Sequence, residues 1–434
     1  MINMKIKYLF LLVILTSLFA GCKDSDSENL QFELSESAFN DVSYEGATLE
    51  VQITSGAAWT ASSNATWCAL VPTKGTGSQK CAIEVQGNLE TTARTATVTI
   101  KSGKTEKKIE IHQNANEGEL HYKLPVIFHV LYQNESDVLQ YVSKDRLADI
   151  LNKVNGYYKD GVNSLDMNLS FTLATKTPAG ETLASPGVEY IKWTGEYPID
   201  CDEFMTDETG KYVSLLWDPN EYINVMVYFF KQDNSGTEAL GISHLPFTIK
   251  GHNWLIGVNE TEYSYLSLED LKFPYSVSIN SQYINDESDD QYYLTTDIVV
   301  TLAHELGHYL GLRHVFTEDK VGTSSGGCMD SDYCDDTPTY NKTYYDEWYF
   351  LQIESGDADF YTLVKREDCQ TGKTFISTNI MDYAVSYSFQ FTSDQRDRIR
   401  HVLTYSPLIP GPKIGQTKTR SVKGPLDLPI RVIK

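Results

Sequence analysis

His304-Glu305-Leu306-Gly307-His308-Tyr309-Leu310-Gly311-Leu312-Arg313-His314 is the stretch on which the reading of this chain turns. His304 and His308 lie four apart, so on an α-helix they share a face and can grip one Zn²⁺. Glu305 is the next residue along, where its carboxylate reaches a water at the metal without being a ligand. Gly311 lets the chain leave the helix in a backbone shape that a β-carbon makes costly. His314 then returns as a third imidazole and leaves the fourth zinc position open for water. The bland alternative is a helix with three incidental histidines. Only nine His occur in 434 residues, and three of them fall on ligand spacing with Glu and Gly in place. Several independent constraints met together favour the metal.

The flanking residues predict a real helix. Thr295 or Thr296 is the expected N-cap, with Asp297 in the first turn facing the positive end of the dipole. Ile298, Leu302, Leu306 and Leu310 recur at four-residue steps and form an apolar stripe to bury against a core. Ala303 and Gly307 are small, which suits close packing near the site.

A second element lies downstream, Asn379-Ile380-Met381-Asp382-Tyr383. With it the chain resembles the metzincin metalloproteases, and within them the pappalysin group. The likeness takes in the motif helix, Gly327-Cys328 with Asp335-Asp336-Thr337-Pro338, the NIMDY turn, and Phe391-Thr392 with Gln395-Arg396 opening a last helix. It also takes in the strand from Leu124 to Tyr132, and so spans about residues 120–408. The resemblance implies a metzincin-type α/β zincin catalytic domain and a zinc-dependent endopeptidase. In it His304, His308 and His314 are the zinc ligands and Glu305 the general base that activates water. Met381 makes the hydrophobic floor of the Met-turn, and Tyr383 hydrogen-bonds the oxyanion. It also implies a Cys328–Cys369 disulfide. A second family bridge uses a Cys shortly after the Met-turn, where this chain has Tyr387, Ser388 and Phe389. Cys201 and Cys334 are left to pair with each other, and Cys68 and Cys81 to pair or stay buried and free. Asp330, Asp332, Asp335 and Asp336 are candidate Ca²⁺ ligands, since the group holds calcium in this area; a solvated acidic loop is the alternative.

The first 21 residues read as an export signal. Lys5 and Lys7 start it, and Tyr8 to Phe19 is almost wholly apolar but short for a membrane span. Ala20-Gly21-Cys22 resembles a bacterial lipobox, which makes Cys22 the lipidation site and residues 22–29 a tether. This predicts an outer-membrane lipoprotein of the cell envelope, with the polar stretch Lys23 to Glu28 as a flexible tether or an acidic signal for surface exposure; simple secretion is the alternative. Acyl chains add about 0.8 kcal/mol per buried CH₂, so several together anchor a protein stably.

The length has room for two or three domains, and 41% hydrophobic residues suffice for proper cores. A net charge of −23 argues against nucleic acid as a partner, because phosphate binding needs an excess of Lys and Arg. Setting Cys22 aside leaves six of seven Cys, an even number in an exported chain.

Residues 30–115 alternate with period two in short runs at 49–53, 67–71, 82–85, 95–100 and 108–111, separated by Gly- and Ser-rich turns. This predicts an all-β, immunoglobulin-like sandwich. Trp59, Trp67, Pro72, Gly75, Gly77, Arg94 and Gln113 resemble the BACON-type module, which implies a glycan contact. The plainer reading makes both Trp core residues and the module a spacer.

A linker at 114–119 leads to the catalytic unit, 120–410, and a tail at 411–434. Strands are expected at 124–132, 169–174 and 222–230, the last central, with a helix through Leu147, Ile150, Leu151, Val154 and Tyr158. Leu240 to Leu245 resembles the edge strand of the metzincin cleft, whose free backbone groups pair with an extended peptide substrate. His244 there reads as rim or surface, and His129 as structural. Two other classes compete: a surface adhesin with an inactive catalytic domain, and a metal-dependent hydrolase of a non-peptide bond. The intact His, Glu and Tyr set argues against the first, and the paired motifs disfavour the second.

Overall fold

The computed structural model describes residues 31–434 except 233–237, 252, 290–291, 319–325, 357–358, 384 and 416–423. The export signal, Cys22 and the tether lie outside the described residues.

Alternation of apolar and polar residues makes the first unit a two-sheet sandwich. One sheet runs β1 (Phe32–Leu34), β3 (Ala47–Ser55), β7 (Gln79–Val85), β5 (Cys68–Val71). The other runs β2 (Ala38–Val42), β9 (Thr105–Gln113), β8 (Arg94–Ser102), β4 (Ala58–Ser63), β6 (Lys74–Thr76). Val51, Ile53, Ile83, Val98, Ile100 and Ile109 point inward and are fully buried. Trp59 is core as expected, and its indole N–H donates to Gly77 O at 3.0 Å. Trp67 is only part-buried and lies under the Arg94 guanidinium, 4.2 Å from its ring centre.

The second unit is built on a seven-stranded sheet. Its order is β11 (Leu169–Leu173), β10 (Tyr122–Tyr132), β13 (Ile223–Tyr228), β17 (Val277–Asn280), β14 (Gly241–His244), β20 (Val432–Ile433), with β12 (Val188–Lys192) also on β10. The first pairings are parallel; β14 is antiparallel to both its neighbours. Every residue of β13 is buried, as a continuous apolar run in a central strand requires. Smaller ladders join β15 (Phe247–Ile249) to β16 (Asn259–Thr261) and β18 (Lys365–Glu367) to β19 (Thr374–Ile376).

The helices are α1 (Lys144–Lys159), α2 (Cys201–Met205), α3 (Ile298–Tyr309), α4 (Lys342–Ser355), α5 (Phe360–Leu363) and α6 (Ser393–Tyr405). In α1, Leu147, Ile150, Leu151, Val154 and Tyr158 form the buried stripe. Tyr158 then ties α1 to α3 by donating its hydroxyl to Ala303 O at 2.9 Å. Thr392 and Gln395 close a capping box on α6.

Three expectations need correction. Neither Thr295 nor Thr296 caps α3: Asp297 does, accepting from Val299 N and Val300 N, because a carboxylate serves two orphan donors at once. Cys201 and Cys334 are buried and unpaired, as are Cys68 and Cys81, while Cys328 is bridged to Cys369. His244 is neither rim nor surface. It is fully buried and stacked on Phe273, its Nδ1 lies against the Ser276 backbone, and burial lowers its pKa to about 4.

Candidate metal centre and cleft

Helix α3 carries His304 and His308 on one face, one turn apart. Gly311 then takes φ +95°, a left-handed value, and the chain reverses so that His314 comes back to them. A β-carbon on Gly311 would also lie 2.7 Å from Val402. The result is three Nε2 atoms in a triangle, with edges of 2.9, 3.0 and 3.2 Å.

The outer nitrogens fix the tautomers. His304 Nδ1 is 2.7 Å from Ile380 O, and His308 Nδ1 is 2.9 Å from Leu312 O. Carbonyls only accept, so each Nδ1 carries a proton and each Nε2 presents a lone pair inward. His314 Nδ1 meets the Glu318 carboxylate to the same effect. Burial lowers the pKa of all three imidazoles, and for His308 and His314 the neighbouring imidazoles lower it further. Three neutral rings aiming lone pairs at one point repel one another unless a cation lies between them. Tetrahedral zinc, with nitrogens at about 2.0–2.1 Å, sets its ligand atoms a little over 3 Å apart, so this donor set fits the ion. Among the described residues, no other group of three or more His, Cys, Asp or Glu side chains converges this way.

Glu305 is 3% exposed, and its Oε2 has no hydrogen-bond partner. Burial pushes its carboxyl well above the usual range. An unpartnered buried carboxyl at the mouth of a cavity is poised for a proton. Strand β14 can pass this close only because residue 241 is glycine: a β-carbon there would stand 2.5 Å from Glu305 Cγ. A cavity of about 500 Å³ opens before His304 and Glu305, bordered by Leu240, Gly241, Thr301, Tyr383 and Lys434.

Met381 lies fully buried against Gly307, the residue before His308. Its turn is held by Asn379 Oδ1, which accepts from Met381 N at 2.9 Å, and by buried Asp382. Asp382 accepts from Tyr340 OH, Ser377 Oγ and Tyr383 N. The Tyr383 ring packs edge-on against His314, with centroids 4.6 Å apart, and its hydroxyl donates to Lys434 O. Burial raises the phenol's pKa, and the Glu318 and Glu305 carboxylates raise it further, so it stays a donor.

Glu318, Asp382 and the Lys434 backbone were not foreseen. Glu318 stands four residues after His314, a spacing legible only once the place of His314 is fixed. The four candidate calcium aspartates do not converge. Asp332 is buried against Thr337 and Cys334 N. Asp336 accepts from Asp394 N, and Asp330 accepts from Asp332 N and Tyr333 N.

Residues 207–404 match the family model of peptidase M43, described as "Pregnancy-associated plasma protein-A". Residues 57–114 match the BACON model, described as "Putative binding domain, N-terminal". An "Extracellular metalloprotease" of Arthroderma benhamiae is 34% identical over 100 residues, which cover 23% of this chain and 29% of that protein. A "Xyloglucan-specific endo-beta-1,4-glucanase" of Bacteroides ovatus is 33% identical over 110 residues, 25% of this chain and 22% of that one. The chain thus spans less than a third of the length of these curated relatives. Mature mirolysin of Tannerella forsythia, solved with a cleaved peptide, aligns over 65% of this chain and 92% of its own, with TM-score 0.43 and 20% identity. By these matches, residues 207–404 are similar to the peptidase M43 family and residues 57–114 to the BACON domain.

Proposed function

We propose that the protein is a zinc-dependent endopeptidase, exported and lipid-anchored through Cys22 in the outer membrane of a bacterial envelope. The observation that carries the enzymatic reading is the three-imidazole triangle beside an unpartnered buried Glu305. A zinc ion held there supplies Lewis acidity to a peptide carbonyl and acidifies water. Glu305 takes the proton of the attacking water and passes it to the leaving amine. Tyr383 donates its hydroxyl to the carbonyl oxygen as charge develops there. Met381 and the carbonyls of Ile380 and Leu312 keep the rings from turning. Asp382 and Glu318 hold the supports in place.

The lipid anchor is supported by the lipobox-like Ala20-Gly21-Cys22. No described helix is long and apolar enough to cross a membrane. Secretion without lipid is the alternative, and mass spectrometry of the mature N-terminus separates the two. For the sandwich, the burial of Trp59 supports a spacer rather than a glycan platform. Calcium has no converging carboxylates in its favour.

Cleavage of a diverse peptide library by the zinc-loaded chain, with and without chelator, tests the enzymatic reading. Glu305→Ala is expected to keep zinc and fold while losing turnover by several orders of magnitude. Undiminished turnover in that variant would refute the role given to Glu305.

A further inference from the structure

Strand β14 was expected to offer its outer edge to a substrate, yet that edge is taken. The end of segment 424–434 pairs with it antiparallel, with Ser243 opposite Ile433 and His244 opposite Val432. Leu245 N donates to Arg431 O at 3.0 Å, and further back Leu426 N donates to Asp270 O at 2.9 Å. Ile433 is 3% exposed, and Leu426, Leu428 and Ile430 pack on the catalytic core. The strand runs toward the histidines and delivers a main-chain oxygen of Lys434 to the Tyr383 hydroxyl. That hydroxyl is the donor assigned above to the carbonyl of the bond being cut. Lys434 therefore occupies the place of the residue before that bond. Its ammonium reaches the Asp202 carboxylate at the start of α2, which with Asp200 borders the same cavity.

We propose that segment 424–434 is an internal ligand of the peptide cleft, and that Asp202 selects a basic side chain in the residue before the cleaved bond. The choice of side chain before a cleaved bond rests on the peptidase reading; occupancy of the cleft does not. A backbone strand added to a free sheet edge is how an extended peptide binds, with alternate side chains giving specificity. A covalently attached strand competes at high effective concentration. An outside peptide must displace it.

The test uses the zinc-loaded full chain in the Glu305→Ala background, so that peptide is not consumed. Binding of fluorescein-labelled Leu-Pro-Ile-Arg-Val-Ile-Lys-amide is followed by anisotropy, beside a counterpart ending in Glu. Adding Ile433→Pro, which removes an N–H from β20, is expected to tighten binding of the Lys peptide at least about threefold. Lys434→Glu is a second way to loosen the segment, used if the proline variant does not fold. Asp202→Asn in the loosened protein is expected to reduce the preference for Lys over Glu by about threefold to fivefold, the scale of a half-exposed ion pair. Unchanged affinity when the segment is loosened, or an unchanged Lys preference in Asp202→Asn, overturns the proposal. The anisotropy pattern without chelator-sensitive hydrolysis by the chain with Glu305 intact would uphold the internal ligand and defeat the peptidase reading alone.

Discussion

The sulfur of Met381 fills the space that a side chain on Gly307 would need: a β-carbon built there comes within 2.5 Å of Sδ. Gly307 immediately precedes His308 on α3, so the helix rests directly on the turn that carries Met381, next to one of the three imidazoles. Contact this close fixes the height of two imidazoles above the floor.

Gly307→Ala should therefore destabilise the protein, although alanine is the better helix former by about 1 kcal/mol. Overpacking typically costs about 1–3 kcal/mol and outweighs that gain. Urea denaturation should show a lowered midpoint, and zinc titration a weaker site. A midpoint raised by the helix-propensity increment would mean that Met381 moves aside freely.

Glu318 makes a different kind of support. It accepts the Nδ1 proton of His314 and also meets Arg313 Nη2 at 2.9 Å, both side chains being buried. A carboxylate behind an imidazole raises its basicity as a ligand and sets its ring. Glu318→Gln should keep the fold and weaken zinc by about 10–100-fold, read by competition with a chromophoric chelator. Equal zinc affinity would reduce Glu318 to a structural ion pair with Arg313.

Tyr383→Phe separates packing from donation. The ring contacts with His314 and Phe316 remain, and only the hydroxyl is lost. Turnover should fall by about 10²–10³, as for other oxyanion donors, with little change in zinc content. The same variant should loosen segment 424–434, because Lys434 O loses its phenolic donor. A variant with full turnover would leave Tyr383 as wall rather than catalyst.

The convergence of the three imidazoles was legible because metal chemistry imposes spacing on neighbours in sequence: His304, His308, Gly311 and His314 lie within eleven residues. Strand β13 and the stripe of α1 were legible through periodicity. What stayed hidden was long-range. Lys434 reaches Asp202 across 232 residues and Tyr383 across 51, and no local pattern announces either meeting. Strands β1, β2 and β6 were missed because short edge strands carry little alternation. The cap on α3 was misplaced by one or two residues, since Thr295, Thr296 and Asp297 are all good caps and only the fold selects among them. The buried state of His244 was missed for the same reason: a strand at a cleft rim looks, in sequence, like one beneath it.

The acidic loop offers a test of pH dependence. Burial raises the Asp332 pKa to about 8. Its surroundings fit a protonated acid: Thr337 Oγ1 is 2.9 Å from Cys334 O and 2.7 Å from Asp332 Oδ2. One hydroxyl proton cannot serve both, so a proton on Oδ2 donating to Thr337 satisfies the set. The unfolded carboxyl titrates near 3.9, so between about pH 4 and 8 the folded chain binds a proton that the unfolded one has released. The contribution of Asp332 to stability is then fully present below about pH 4 and is lost as the pH rises towards 8. Asp332→Asn places an amide where that proton sits and can keep each hydrogen bond. It should raise the melting temperature at pH 7.5 and flatten its fall between pH 5 and 8. Calcium in this loop would require the opposite, a charged Asp332, and would appear as a calcium-dependent rise in melting temperature that Asp332→Asn abolishes. The absence of any calcium response, together with a stabilised variant, is the expected pair of results.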